Sequence, residues 1–266
     1  MSSRAGVSSI TTQKGSGQVA EGARLKVEPT AKRVRGYVEG RLAFDTISAL
    51  LVWENRSYPA YYLPLKDIVG ELRPNGEGRH SPSRGEAEIL DLHLGAAVRS
   101  AAGWRYPDSP IEAIRDHVRF EWTAIDEWLE EDEPVYTHPR DPYTRVDILQ
   151  SSRRVRVVVD GVDVADSRAP HILFETGLPP RYYLPMADVR LDLLTRTDSE
   201  SHCPYKGVAT YWTLTVNGKR YDDFVWCYRT PLPESQRIAG LLCFYNEKVD
   251  LWVDGVLQDQ PHTKFS

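Results

Sequence analysis

Short apolar runs along this chain meet at two-residue turns. "VRVVV" (155–159), Asp160-Gly161 and "VDVADS" (162–167) spell an apolar strand, a tight turn and a second strand, the pattern of a β-hairpin. Glu39-Gly40 punctuates "KRVRGYVEGRLAFDT" in the same way, and Asn217-Gly218 divides "TYWTLTV" from "KRYDDFVWCY". Asp254-Gly255 closes "LLCFYNEKVDLWV", a run rich in the aromatic and β-branched residues that suit a pleated surface. Helical spacing is sparse. "SPIEAIRDHV" from Ser109 has a capping residue, a proline in the first turn and apolar positions three to four apart, and predicts a helix; "LPESQRIAG" from Leu232 predicts a shorter one.

The pattern occurs twice. "KRVRGYVEGRLAFDT" from Lys32 lies over "RRVRVVVDGVDVADS" from Arg153, and "AYYLPLKDI" from Ala60 lies over "RYYLPMADV" from Arg181. Tyr61 and Tyr182 are 121 residues apart, His80 and His202 are 122 apart, and Asp126 and Asp250 are 124 apart. A nearly constant offset means tandem duplication with small insertions. Two copies are too few for a solenoid. The expected fold class is mainly β: a small β-rich domain, as a bent sheet or open barrel, repeated at 32–146 and 147–266 and packed as a pseudo-dimer with few short helices. Residues 1–31, rich in Ser, Gly and Thr, read as a mobile tail.

Composition narrows the class. The chain is 41% hydrophobic and 27% charged, ordinary for a folded soluble domain, and 10% aromatic. A net charge of −5 gives no pull toward nucleic acid or an anionic membrane, although residues 1–35 carry seven Lys/Arg against two Glu. Cys203, Cys227 and Cys243 are odd in number and lack C-x-x-C spacing, which argues against a disulfide framework and a four-cysteine zinc site. No signal-peptide pattern and no run of roughly 20 apolar residues is found, so a cytoplasmic location is expected.

The combination "VDGxxVADS", "ETGLPPRYYLP", "HCPYKGxAxYW" and "EEDExVYxHPRDPY" resembles the domain of unknown function 427 family, also catalogued as nucleotidyltransferase-like. The resemblance covers residues 32–266 as two copies. It implies a small, mostly β, β-tent-like fold and brings no reaction with it. The "HCPYKG" block stands only in the second copy; the first has Ser81, Ser83 and Arg84 at the Cys, Tyr and Lys places. The "EEDE…HPRDPY" block stands only at Glu130–Tyr143 of the first copy. No Gly-Ser turn followed by paired carboxylates, which Mg²⁺-dependent phosphoryl chemistry would need, is present.

The chemistry-bearing residues cluster at 202–206. Pro204 favours extended backbone at Cys203, while His202 and Lys206 offer positive charge that would raise its thiolate fraction. Cys203, Lys206, Tyr205 and His202 are therefore the expected catalytic group: Cys203 as nucleophile or proton donor, Lys206 as anion clamp, Tyr205 as hydrogen-bond donor. Arg84 keeps the charge of Lys206 in the first copy, so the charge itself reads as useful. Arg181, Tyr183, Trp212, Trp226, His138, Arg140 and Asp141 are expected to bind substrate, the last three reaching a cleft from the segment that joins the copies and completing one composite site. Glu175, matched by Glu54, reads as a solvated carboxylate at a strand end. The expected partner is a small anionic or carbonyl-bearing molecule; no nucleic acid, membrane, metal or cofactor is expected. A non-catalytic ligand-binding module and a protein-interaction scaffold are the alternatives.

Overall fold

The computed structural model describes residues 25–55 and 57–263. Each copy is a pair of open antiparallel sheets, one of seven strands and one of four. In the second copy the large sheet runs Val146–Gln150, His171–Glu175, Arg181–Leu184, Leu242–Phe244, Lys219–Tyr228, Gly207–Val216, Leu194–Cys203. Its small sheet orders Val162–Ser167, Val155–Val159, Asp250–Val253 and Val256–Leu257. The first copy repeats both arrangements, from Val27–Pro29 through Glu71–Ser81 and from Glu133–Pro134 through Arg41–Thr46.

The turns behave as their residues dictate. Glu39-Gly40, Asp160-Gly161, Asn217-Gly218 and Asp254-Gly255 all have positive φ at both positions, which the type I′ hairpin requires and which Asn, Asp and Gly tolerate best. Val34–Val38 and Val155–Val159 alternate buried with half-buried side chains, so one face of each small sheet closes on the large sheet. The cores stay separate. Val34, Phe44, Leu63 and Trp128 pack together in the first copy, and Val155, Leu184, Leu214 and Phe244 in the second. A second cluster on the other face of each large sheet holds Tyr62, Trp104 and Tyr106 in the first copy, and Tyr183, Trp226 and Tyr228 in the second.

Two expectations need correction. Both expected helices are 3-10 segments, Glu112–Ile114 and Pro233–Ile238. The strand His117–Phe120 begins three residues after the first, leaving no length to offset the cost of nucleating an α-helix. The tail also ends earlier than residue 31, because Val27–Pro29 pairs with Leu50–Val52 as the edge of the large sheet. Residues 1–24 of that tail lie outside the described residues. No helix among the described residues is long and apolar enough to cross a membrane.

The segment joining the copies touches both. His138 stacks on Tyr58 with ring centres 3.9 Å apart, and Trp53 Nε1 donates to Asp141 Oδ2 at 3.0 Å. On the other side Asp141 N donates to Tyr205 Oη at 2.8 Å, and Arg140 Nη1 lies 3.8 Å from Glu234.

Candidate functional site

The "CPYKG" block is a hairpin turn. Leu194–Cys203 and Gly207–Val216 pair as far as Cys203 and Gly207, and Gly207 closes the turn at φ +93°, where a side chain would be strained. Leu232 N donates to Lys206 O at 3.1 Å, and Ser235 Oγ to Tyr205 O at 3.1 Å, so the short Pro233–Ile238 segment clamps the turn from behind. Held this way, the turn sends neighbouring side chains in opposite directions. Tyr205 goes toward the connecting segment and Lys206 goes inward.

Lys206 is 8% exposed, and its Nζ donates to Glu175 Oε2 at 2.5 Å. The Cys203 sulfur is also within its hydrogen-bonding reach. Burial works against the ammonium, yet its interactions with Cys203 and Glu175 outweigh it and hold the Lys206 pKa above its ordinary value. Lys206 is thus charged at neutral pH, and the anion it clamps is internal. Glu175 is not the solvated strand-end carboxylate expected of it, since only 9% of its side chain is exposed. The first copy repeats the pair at the matched positions, with Arg84 Nη1 3.1 Å from Glu54 Oε1.

Aromatic side chains enclose the thiol. Cys203 packs against the cluster of Tyr183, Trp226, Tyr228 and Cys243, with Tyr211 and Tyr245 at its edge. Trp226 Nε1 donates to Tyr183 Oη at 3.2 Å. Burial pushes the Tyr183 and Tyr228 phenols well above the usual range, with the neighbouring Cys203, Tyr211 and Glu175 adding to the effect at Tyr228, so both remain protonated donors. Arg181 lies 5.7 Å from the Trp226 ring centre and donates to both oxygens of Glu247 at 2.6 Å. Cys203 is the one partly exposed thiol. Cys227 and Cys243 are buried, and burial raises both thiol pKa values, that of Cys243 to about 12.

The structure gathers Cys203, Lys206, Tyr183, Trp226 and Arg181 about one aromatic cluster and turns the other expected side chains to different partners. Trp212 lies on the opposite face of the sheet, against Leu214 and Val225, because strand neighbours alternate and Tyr211 takes the side of the thiol. His202 is exposed and turns to the Tyr136 ring, 5.2 Å away. Tyr205, Arg140 and Asp141 line a separate cleft of about 280 Å³ with Lys32, Thr144 and Glu234. The bonds that set Lys206 come from Glu175 and Cys203 rather than from His138 or Asp141. Of the contributors, Glu175 is legible in the sequence but with the wrong surroundings, and the second, Tyr228, is not singled out there at all. The shared W-x-Y of Trp104/Tyr106 and Trp226/Tyr228 was the available signal for the second. Among the described residues, no group of three or more His, Cys, Asp or Glu side chains is placed to hold a metal ion.

Two β-rich copies, each presenting a cation–glutamate pair on a buried aromatic face, define a tandem family architecture. The family model described as domain of unknown function (DUF427) matches residues 26–131 and again 147–255, and the chain belongs to that family. Comparison with curated proteins finds no match.

Proposed function

We propose that this chain is a small-molecule enzyme whose second copy uses Cys203 on a carbonyl-bearing substrate. The observation that carries the reading is the placement of one half-buried thiol beside a buried ammonium that Glu175 fixes in position. A neighbouring positive charge favours the thiolate, which is the nucleophilic form. In the step envisaged, the thiolate forms an S–C bond to the carbonyl carbon while the π pair moves to oxygen. A proton from Lys206 or Tyr228 neutralises that oxygen, and the proton first released by the thiol returns to the donor. Atoms and charge balance without an oxidant or reductant. Tyr228 takes the donor role expected of Tyr205, whose hydroxyl is turned toward the connecting segment, where it accepts from Asp141 N.

A second reading, a binding module without turnover, is favoured by the neutralisation of Lys206 by Glu175 and of Arg181 by Glu247. Alkylation of the native chain with iodoacetamide, followed by peptide mapping, tests the primary reading. Cys203 should be modified first, and Lys206→Met should slow it by about tenfold or more, the effect of losing a charge that favours the thiolate. Equal labelling of Cys227 or Cys243, or an unchanged rate in Lys206→Met, would remove the basis for Cys203 chemistry.

A further inference from the structure

The first copy differs from the second in what its buried donors lack. Trp104 is 5% exposed and Tyr106 is fully buried. No aligned hydrogen bond satisfies Trp104 Nε1, Tyr106 Oη, Arg84 Nε, Arg84 Nη1 or Arg119 Nε. In the second copy the matching indole, Trp226, donates to Tyr183, and the matching cation, Lys206, donates to Glu175. Tyr62 replaces Tyr183 but turns its hydroxyl to Glu54 Oε1 at 2.7 Å, which leaves the Trp104 N–H without its counterpart's acceptor. A buried donor left unmade costs about 1–3 kcal/mol. Arg84 Nη1 and Arg119 Nε face Glu54, and Arg84 is within hydrogen-bonding reach of Tyr106, so Trp104 Nε1 and Arg84 Nε call most directly for an acceptor from outside.

The five donors belong to one connected group. Arg84 Nη1 lies 3.1 Å from Glu54 Oε1 and Arg119 Nε lies 3.5 Å from Oε2, in ion-pair range with the N–H bonds out of line. Arg119 stands directly across the ladder from Trp104, its guanidinium 4.2 Å from the ring centre. Arg79 approaches the same ring to 4.4 Å from the edge strand Glu71–Ser81, two strands away on the other side. The Arg84 guanidinium is 5.2 Å from the Tyr106 ring. The charges facing this spot are three guanidiniums against Glu54 and Glu121, the latter 3.2 Å from Arg119 Nη1, so positive charge is in excess.

We infer that the first copy holds an oxyanion site that takes the phosphoryl group of a small phosphate ester between Arg84, Arg119, Trp104 and Tyr106. Charge and shape select the ligand. A phosphoryl group presents three strongly accepting oxygens in a tetrahedral array that can meet Trp104 Nε1 and two guanidiniums from different sides, which the two coplanar oxygens of a carboxylate do less well. Guanidinium forks match that geometry. Ser81 in place of Cys203 removes the thiol and keeps the cation, so this copy binds without the chemistry proposed for the other. The inference does not rest on that chemistry.

The test is calorimetric titration of the full chain with inorganic phosphate at slightly alkaline pH, where phosphate is a dianion, with ionic strength held constant by sodium chloride. One saturable site is expected, with phenyl phosphate competing and acetate not competing. Arg119→Gln and Arg84→Gln should each weaken phosphate by about tenfold, the worth of a charge-assisted hydrogen bond, and Trp104→Phe by a few-fold. Arg220→Gln, in the second copy, should leave it unchanged. Broadening of the phosphate ³¹P line by the unsubstituted chain keeps the test decisive where a variant fails to fold. Absence of saturation up to roughly 10 mM, displacement by acetate, or equal weakening by Arg220→Gln would overturn the site.

Discussion

Lys206 Nζ lies 2.5 Å from Glu175 Oε2, with 10% and 9% of the two side chains exposed. Removing one partner of a buried ion pair leaves an uncompensated charge, so Lys206→Met should cost about 3–5 kcal/mol in urea unfolding. Lys206→Met with Glu175→Leu should recover most of that loss, because an apolar pair fills the space without a stranded charge. A single-variant cost below about 1 kcal/mol would show that water reaches the pair. The Lys206 pKa is raised above 10.5, so its contribution is complete below that value and is lost as pH climbs through the higher folded pKa. Alkaline unfolding above pH 10.5 should be less steep in the double variant.

The acid limb rests on a different pair. Burial opposes the Glu247 charge, but hydrogen bonds from Arg181 and Thr263 outweigh it and hold the carboxyl at about 2 against an ordinary 4.5. A carboxyl lowered in the folded state stabilises above its unfolded pKa, and that contribution disappears as pH falls through the folded one. Stability should therefore decline between pH 4.5 and about 2, and Glu247→Gln should flatten that slope. Urea midpoints measured across the range decide it; parallel curves for the two proteins would assign the acid limb to other carboxylates.

These pairs also mark what the sequence could and could not disclose. Turns were legible because their signal is local: Asp160-Gly161 or Asn217-Gly218 needs no distant partner to adopt positive φ. Duplication was legible through the offset of Tyr61 and Tyr182. The partner of Lys206 was not, because Glu175 reaches it across 31 residues and burial depends on the whole sheet. Trp212 was misplaced for a related reason. Alternation says only that Tyr211 and Trp212 face opposite ways, and the ladder with Val225 and Trp226 decides which faces the thiol. The orphaned donors of the first copy were hidden by apparent decay, since Ser81 and Ser83 read as loss while Arg84, Trp104, Tyr106 and Glu54 stayed in place around them.

Separate cores predict that the second copy folds by itself, and its boundary can be tested. The Val146–Gln150 strand forms the edge of the large sheet, with Ile148 opposite Leu173 and only 6% exposed. Arg237 Nη1 donates to Ile148 O at 2.9 Å, tying that strand to the segment that clamps the "CPYKG" turn. A fragment of residues 144–263 should unfold in one cooperative transition and alkylate Cys203 at the rate of the full chain, because Glu175 and Lys206 both lie within it. A fragment of residues 151–263 lacks the edge strand. It exposes the apolar surface that Ile148 covers and leaves His171–Glu175 unpaired on one side, so it should lose about 3 kcal/mol or more. With Glu175 at the end of the uncovered strand, Lys206 also loses its fixed position, and Cys203 should lose its selectivity toward iodoacetamide over Cys227 and Cys243. Should the longer fragment fold yet alkylate Cys203 much more slowly than the full chain, the first copy must contribute to the thiol's environment. His138, Arg140 and Asp141 would then return as members of a shared site.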